Sequence, residues 1–206
     1  MDPNFFLQPS LTLAPKLLGT IFSFASPDGF ISGKIVEVEA YHQNDPASHT
    51  FRGESTRNRS MFQAGGRLYV YRIYGLHVCV NIVAGPRESG EGILLRAVEP
   101  LEGIDIMRKN RFQGRLPAKE SPSTPKGVSL SGSLLQLCSG PAKLTQAFGI
   151  KHQHDGLVLG ESPFSLSQAE VLPAEQIVQT TRIGISKASQ ELARFYIRDN
   201  PFISRT

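Results

Sequence analysis

Over much of this chain apolar and polar residues alternate with a period of two, and the alternating runs stop at Gly and Pro. Alternation through Ile35-Val36-Glu37-Val38-Glu39-Ala40-Tyr41 puts Ile35, Glu37, Glu39 and Tyr41 on one face of a strand, with Val36, Val38 and Ala40 on the other. That strand starts near Phe30. It is preceded by a strand-like run from Thr20 to Phe24 and the turn Ser26-Pro27-Asp28-Gly29, so the pair reads as a hairpin. A second hairpin is expected from Leu68 to Val83, where Tyr69 and Tyr71 alternate with Leu68 and Val70, Gly75 marks the bend, and Tyr74 and Leu76 stand at the tip. Further strands are expected at Gly92 to Val98 and Arg194 to Arg198. Helical signals appear at Leu11 to Leu18, with Ser10 as N-cap and Gly19 as terminator, at Pro100 to about Arg111, and from Ser139-Gly140-Pro141 to near Gly149. Pro15 works against the first of these. From Phe112 to Gly132 the composition turns to Gly, Pro, Ser and Lys, which reads as a mobile surface loop. There is no internal repeat and no β-α-β alternation, so the expectation is one α+β domain over residues 1–206.

Composition narrows the class. With 206 residues, 40% of them hydrophobic and 19% charged, the chain can bury one sizeable core and does not resemble a disordered or fibrous protein. The formal charge of +4 and a pI near 9.2 favour an anionic partner such as nucleic acid. The start Met1-Asp2-Pro3-Asn4-Phe5-Phe6-Leu7 lacks the features of a signal peptide, and no apolar stretch is long enough to cross a bilayer. An intracellular protein without membrane contact is expected, cytoplasmic or nucleoid-associated, or nuclear in a eukaryote. Cys79 and Cys138 lack paired spacing and read as small buried hydrophobes.

Several residues have chemistry beyond packing. Glu39 is an acid on a strand otherwise built for a core, and a carboxylate there can orient and deprotonate water; periodicity alone favours a solvated strand face carrying Glu37 and Glu39. Tyr41, Tyr69, Tyr71 and Tyr74 offer faces that stack on bases, although Tyr is also an ordinary strand former. Arg52, Arg57, Arg59, Arg67 and Arg72 lie between the hairpins, as a phosphate-binding set or as a solvated basic loop. The close sets His42, Asp45, His49 and His152, His154 do not match a zinc spacing, so no metal and no cofactor are expected. No nucleophile-elbow, Ser-x-x-Lys or P-loop pattern occurs.

The same segments, in order, resemble the alkyladenine (3-methyladenine) DNA glycosylase family. The likeness rests on Ile35 to Tyr41, Ala47-Ser48-His49, Arg57-Asn58-Arg59-Ser60-Met61-Phe62 and Leu68 to Gly75. It extends through Val80-Asn81-Ile82, Leu94 to Gly103, Cys138 to Leu144 and Arg194 to Arg198, nearly the whole chain. The resemblance implies a curved antiparallel β-sheet flanked by helices, a protruding β-hairpin, and a monomer that acts on double-stranded DNA containing damaged purines. It implies a monofunctional enzyme that flips 3-methyladenine, 7-methylguanine, hypoxanthine or ethenoadenine out of the stack and leaves an abasic site. By similarity Glu39 and Arg96 are catalytic, Tyr41, His49, Tyr71 and Asn81 form the base pocket, and Tyr74 and Leu76 intercalate. Asn81 would crowd the 2-amino group of guanine. Arg57, Arg59 and Lys143 are the phosphate-binding candidates. Outside the pocket, the loop from Phe112 to Gly132 matches poorly, and His77 stands where relatives can carry an aromatic residue. Three other readings compete: a silent lesion-binding module, a lyase-type glycosylase that would need an amine nucleophile, and a sugar hydrolase using Glu37 and Glu39 as a pair.

Overall fold

The computed structural model describes residues 2–73, 75, 77–112, 134–161, 163–167 and 171–204. The first hairpin joins β1 (Ile21–Ser26) to β2 (Gly29–Tyr41), with Ser26 opposite Gly29 and only Pro27 and Asp28 between them. β3 (Leu68–Ile73) and β4 (His77–Ala84) make the second hairpin, followed by the long β5 (Glu91–Glu102). Short strands β6 (Phe164–Ser167), β7 (Ile177–Thr180) and β8 (Arg194–Ile197) complete the set. The hydrogen-bonded order is β3-β4-β5-β2-β1-β6, with β8 joining β2 and β7 joining β8; every pairing is antiparallel. This curled sheet with flanking helices is an α+β architecture, as the absence of β-α-β alternation anticipated.

β2 organises the site because its free edge changes partner along its length. β1 pairs with it up to Lys34, and β8 takes over from Glu37 to Glu39. At this exchange the β2–β5 register is irregular, between Ile35 and Val38. The irregularity inverts the pleat: Ile35 enters the main core together with Val38 and Ala40, whereas Val36, though fully buried, does not join that core. The expected grouping of Ile35 with Glu37, Glu39 and Tyr41 is therefore corrected at Ile35 and Val36. β5 inverts at the same place, giving Ile93, Leu95 and Val98 to the core. A bulge of this kind re-aims side chains locally while the ladder resumes on either side.

Among the described residues the core face is covered by α1 (Ser10–Leu17), α2 (Ile104–Phe112) and α3 (Pro141–Phe148). Leu13, Ala14 and Leu17 of α1, Met107 of α2, and Leu144, Ala147 and Phe148 of α3 pack there on Phe22, Val80, Ile82 and Leu95. Two helix boundaries differ from expectation. Ser10 is the first residue of α1, not its cap; Pro9 holds the cap position, and the Ser10 amide donates to Glu91 Oε2 at 2.6 Å, so an acid from β5 meets the helix start. Pro100 does not open a helix, because β5 continues through it opposite Gly33 until Gly103. Gly103 has φ +71°, and a Cβ there would lie 2.5 Å from the Phe30 carbonyl oxygen, so the strand-to-helix corner needs glycine. Of the expected loop after Phe112, residues 113–133 lie outside the described residues.

Candidate active site

The sheet face opposite the helices carries Glu37, Glu39 and Tyr41 from β2, Tyr69 and Tyr71 from β3, Asn81 from β4 and Arg96 from β5. Both glutamates are fully buried. Arg96 bridges them, its Nε donating to Glu37 Oε1 at 3.0 Å and its Nη1 lying 3.1 Å from Glu39 Oε1. Burial opposes the Arg96 charge, but Glu39 and Glu37 together outweigh it and hold the guanidinium above its ordinary value.

The two acids are satisfied unequally. Glu37 Oε1 also accepts from Arg194 Nε at 2.8 Å and Ser204 Oγ at 2.9 Å, and its Oε2 accepts the Ser204 amide at 2.5 Å. Glu39 Oε1 takes the Ile183 amide at 2.7 Å besides Arg96, whereas Oε2 takes only the Tyr41 hydroxyl, at 2.9 Å, among the described residues. A carboxylate oxygen has room for two donors, so Oε2 retains acceptor capacity. The Tyr41 phenol is pushed above its ordinary range by burial first and by the neighbouring Glu39 charge, which keeps it a donor.

Beside this pair opens a cavity of about 130 Å³ lined by Tyr41, Ala47, Ser48, His49, Met61, Tyr69, Tyr71, Asn81 and Ile185. That is well below the several hundred Å³ of a drug-sized pocket and suits one flat heterocycle. Tyr69 and Tyr71 stack with centroids 5.3 Å apart, and His49 stands edge-on to Tyr71 at 4.5 Å, its Nδ1 bonded to the Tyr69 hydroxyl at 3.0 Å. His49 keeps an exposed edge, yet burial of the rest of the ring, and then Arg57, lower its proton affinity. Asn81 is buried, lines the cavity and spends one N–H on the Tyr69 carbonyl at 3.3 Å. The loop bearing His49 is pinned by buried Asn58, whose Nδ2 donates to the His49 carbonyl at 2.9 Å and the Gly53 carbonyl at 3.1 Å.

The structure thus brings Glu39, Arg96, Tyr41, His49, Tyr71 and Asn81 together. Tyr74 and Leu76 lie outside the described residues. Arg57 is near enough to act on His49 and Tyr69 electrostatically, and its Nη2 donates to the Arg72 carbonyl at 3.3 Å. Arg59 pairs with Glu54 at 3.5 Å and Lys143, on α3, with Gln136 at 3.1 Å; neither lines the cavity. Among the described residues no lysine lines it either. The histidine sets found in the sequence are otherwise engaged: His42 with Glu191 at 3.1 Å, Asp45 with Arg182, His154 against Phe24 and Phe164. Cys79 and Cys138 are both buried, and burial pushes their thiols up to about 11 and about 12.

Sequence reading missed Arg182 and Arg194. Arg182 is buried, its guanidinium 4.5 Å from the Tyr41 ring centroid, donating to the Ala40 carbonyl at 3.0 Å, to Asp45, and to Glu191 at 2.8 Å. It precedes Ile183, whose amide holds Glu39, and Ile185, which lines the cavity. Each of these contacts spans more than a hundred residues except that to Glu191, so no local signal could have found them.

The slot is walled by aromatic rings, and a buried acid reaches one of them, Tyr41. The known family that matches is described as "Methylpurine-DNA glycosylase (MPG)", over residues 4–201. The chain belongs to this family, and is thereby a DNA-repair enzyme that hydrolyses N-glycosyl bonds. It is 41% identical over 204 residues to a protein of Methanoculleus marisnigri named "Putative 3-methyladenine DNA glycosylase", covering 98% of this chain and 96% of that one. Proteins of the same name from Agrobacterium fabrum and Rhodopseudomonas palustris are 42% and 40% identical, covering 98% of this chain each and 91% and 86% of theirs.

Proposed function

We propose that the chain, as a single-domain monomer, flips alkylated or deaminated purines from duplex DNA and hydrolyses their glycosylic bond with a water held by Glu39. Among the candidate substrates are 3-methyladenine, 7-methylguanine, hypoxanthine and ethenoadenine, the first of which is the base in the relatives' names. The observation that carries the reading is the placement of the two buried acids: Glu37 takes four donors, from Arg96, Arg194 and Ser204, none of which lines the slot, while Glu39 keeps acceptor capacity on the oxygen bonded to cavity-lining Tyr41. A water on that oxygen attacks C1′, its proton passes to Glu39, and the electron pair of the breaking C1′–N bond leaves with the purine. A purine made cationic by alkylation departs as a neutral base, and neutral hypoxanthine or ethenoadenine departs as the anion and takes its proton from solvent water. Arg96 holds Glu39 and Glu37 apart in fixed orientation, so the carboxylate needs no rearrangement as positive charge grows on the sugar.

Tyr41, His49 and Tyr71 form the stacking walls, which favour an electron-poor purine, and Asn81 excludes the 2-amino group of guanine. Tyr74 and Leu76, outside the described residues, are the proposed minor-groove wedge, and Arg57 at the pocket rim the best placed of the three phosphate candidates. The substrate puts the enzyme wherever the cell's DNA is, nucleoid or nucleus. Among the described residues a lyase mechanism lacks a lining lysine, and Glu37, held by Arg96, Arg194 and Ser204, does not line the cavity as the second acid of a sugar hydrolase would. The test is Glu39→Gln on duplexes with one defined lesion. Binding should persist while base release falls by about 100-fold or more; undiminished release would refute the role, and a wild type that binds lesions but frees no base would favour the silent-module reading.

A further inference from the structure

Two larger cavities lie away from the aromatic slot, on the other face of the β3–β4 hairpin. One, of about 540 Å³, runs from the β1–β2 turn along α3; the second, of about 380 Å³, adjoins the hairpin bend, and they share Val78, Lys151 and Gln153. Their placement follows from the pleat. Tyr69 and Tyr71 face the slot, while Leu68 and Val70 face the core, and Arg72 continues the core-side phase. Val78, its register partner, packs on the core, and its carbonyl accepts from Thr145 Oγ1 of α3 at 2.7 Å. The groove therefore backs onto the hairpin opposite the slot.

Its charge is one-sided. Arg72, His77, Lys151 and His152 line it and are exposed. Among the described residues the only acid lining either cavity is Asp28, already paired with Lys109 at 3.3 Å. Neither Arg72 nor Lys151 has an acidic partner among the described residues.

We infer that this groove holds the phosphodiester backbone of the strand opposite the lesion. The inference rests on the proposed entry of the hairpin tip into the minor groove. That groove is about 6 Å wide and is bounded by two backbones, so a hairpin entering it has one backbone on each face. The slot, which receives the flipped nucleotide, claims the lesion strand for its own face. The other backbone then meets the face bearing Arg72 and Lys151, where unpaired cations can neutralise phosphates without reading sequence.

The test is the double variant Arg72→Gln, Lys151→Gln on a lesion duplex. Both side chains are exposed, so thermal stability should not change, and base release at saturating protein should match the wild type. Removing two phosphate contacts should lower the slope of log affinity against log salt by about 2, so that between about 50 and 200 mM salt the wild type loses roughly tenfold more affinity than the variant. Neutral methylphosphonate linkages opposite the lesion should weaken the wild type and leave the variant unaffected; in the lesion strand they should weaken both equally. Equal salt slopes, or a variant made insensitive by neutral linkages in the lesion strand instead, would overturn the assignment. A wild type that binds lesions but frees no purine would overturn the glycosylase mechanism itself, and the salt slopes and linkage pattern would still decide the groove's assignment.

Discussion

Replacing Arg182 by Gln probes whether a residue outside the proposed catalytic pair, Glu39 and Arg96, sets its geometry. The substitution strands Asp45, a side chain with 1% of its surface exposed, whose remaining partner is the Ala47 amide at 2.8 Å. Breaking a buried pair from one side costs about 3–5 kcal/mol, because a charge stays behind without its counterion. Loss of the cation over Tyr41 falls within that range and is not added to it. For a chain of this length about 4 kcal/mol corresponds to a fall in Tm on the order of 10 °C. Removing the stranded charge should recover part of the loss: in the double variant Arg182→Gln, Asp45→Asn, about 1–3 kcal/mol should return, since an amide still accepts from Ala47 and carries no charge. Urea unfolding followed by circular dichroism measures both numbers. Base release should stay low in the double variant, because the segment bearing Ile183 has lost its brace even though the charge conflict is gone. A double variant no more stable than the single one would show that the Asp45 charge is not what Arg182 compensates.

Two further outcomes follow from the pocket walls. The proton affinity of His49 is lowered, by burial first and then by Arg57, so the neutral ring prevails at and somewhat below the ordinary value of 6.5. As pH falls through that lowered value the ring gains charge and repels a cationic purine; release of 7-methylguanine should drop relative to neutral hypoxanthine, and in His49→Gln the ratio should stay flat, an unchanged pH response in that variant being the contrary result. Asn81→Ser should shorten the side chain that faces the cavity and raise guanine release from undamaged DNA by roughly 10-fold, the scale of steric discrimination in a small pocket; gas-free liquid chromatography of released bases would detect it, and no increase would remove Asn81 from the selectivity argument.

Local periodicity made much of this protein legible because hairpins are local objects. The turn at Pro27 and Asp28, the Tyr69 and Tyr71 alternation, and the glycine-bounded helix after Gly140 all depend on neighbours within a few residues. Glu37, Glu39 and Tyr41 share a face as their spacing demands. The inverted pleat is marked in the letters themselves: polar Ser32 and Lys34 stand at even positions, Glu37 and Glu39 at odd ones, and the adjacent apolar pair Ile35-Val36 is the change of phase, while the exchange of β1 for β8 along β2 that accompanies it depends on residues more than 150 positions away. Pro100 misled for a related reason: its fixed φ suits a helix start, but β2 was available to extend the strand. Pocket roles came from the family resemblance. The residues alone reached a basic α+β domain with an acid and a group of tyrosines.

The asymmetry between the two glutamates shows how distant segments assign chemistry to near-identical positions. Both acids are fully buried, two residues apart on one strand, and both touch Arg96. Arg194 from β8 and Ser204 from the C-terminal segment close around Glu37 and leave it a counterion. The segment containing Ile183 reaches Glu39 on one oxygen only, and Arg96 meets that same oxygen. Two guanidiniums thus balance two carboxylates, and Arg96 meets Glu39 on the oxygen that Tyr41 does not. Positive charge developing at a sugar in front of Oε2 would meet a carboxylate oxygen bonded only to a neutral phenol, which is the arrangement that lets a cluster of zero net charge stabilise a cation on one side.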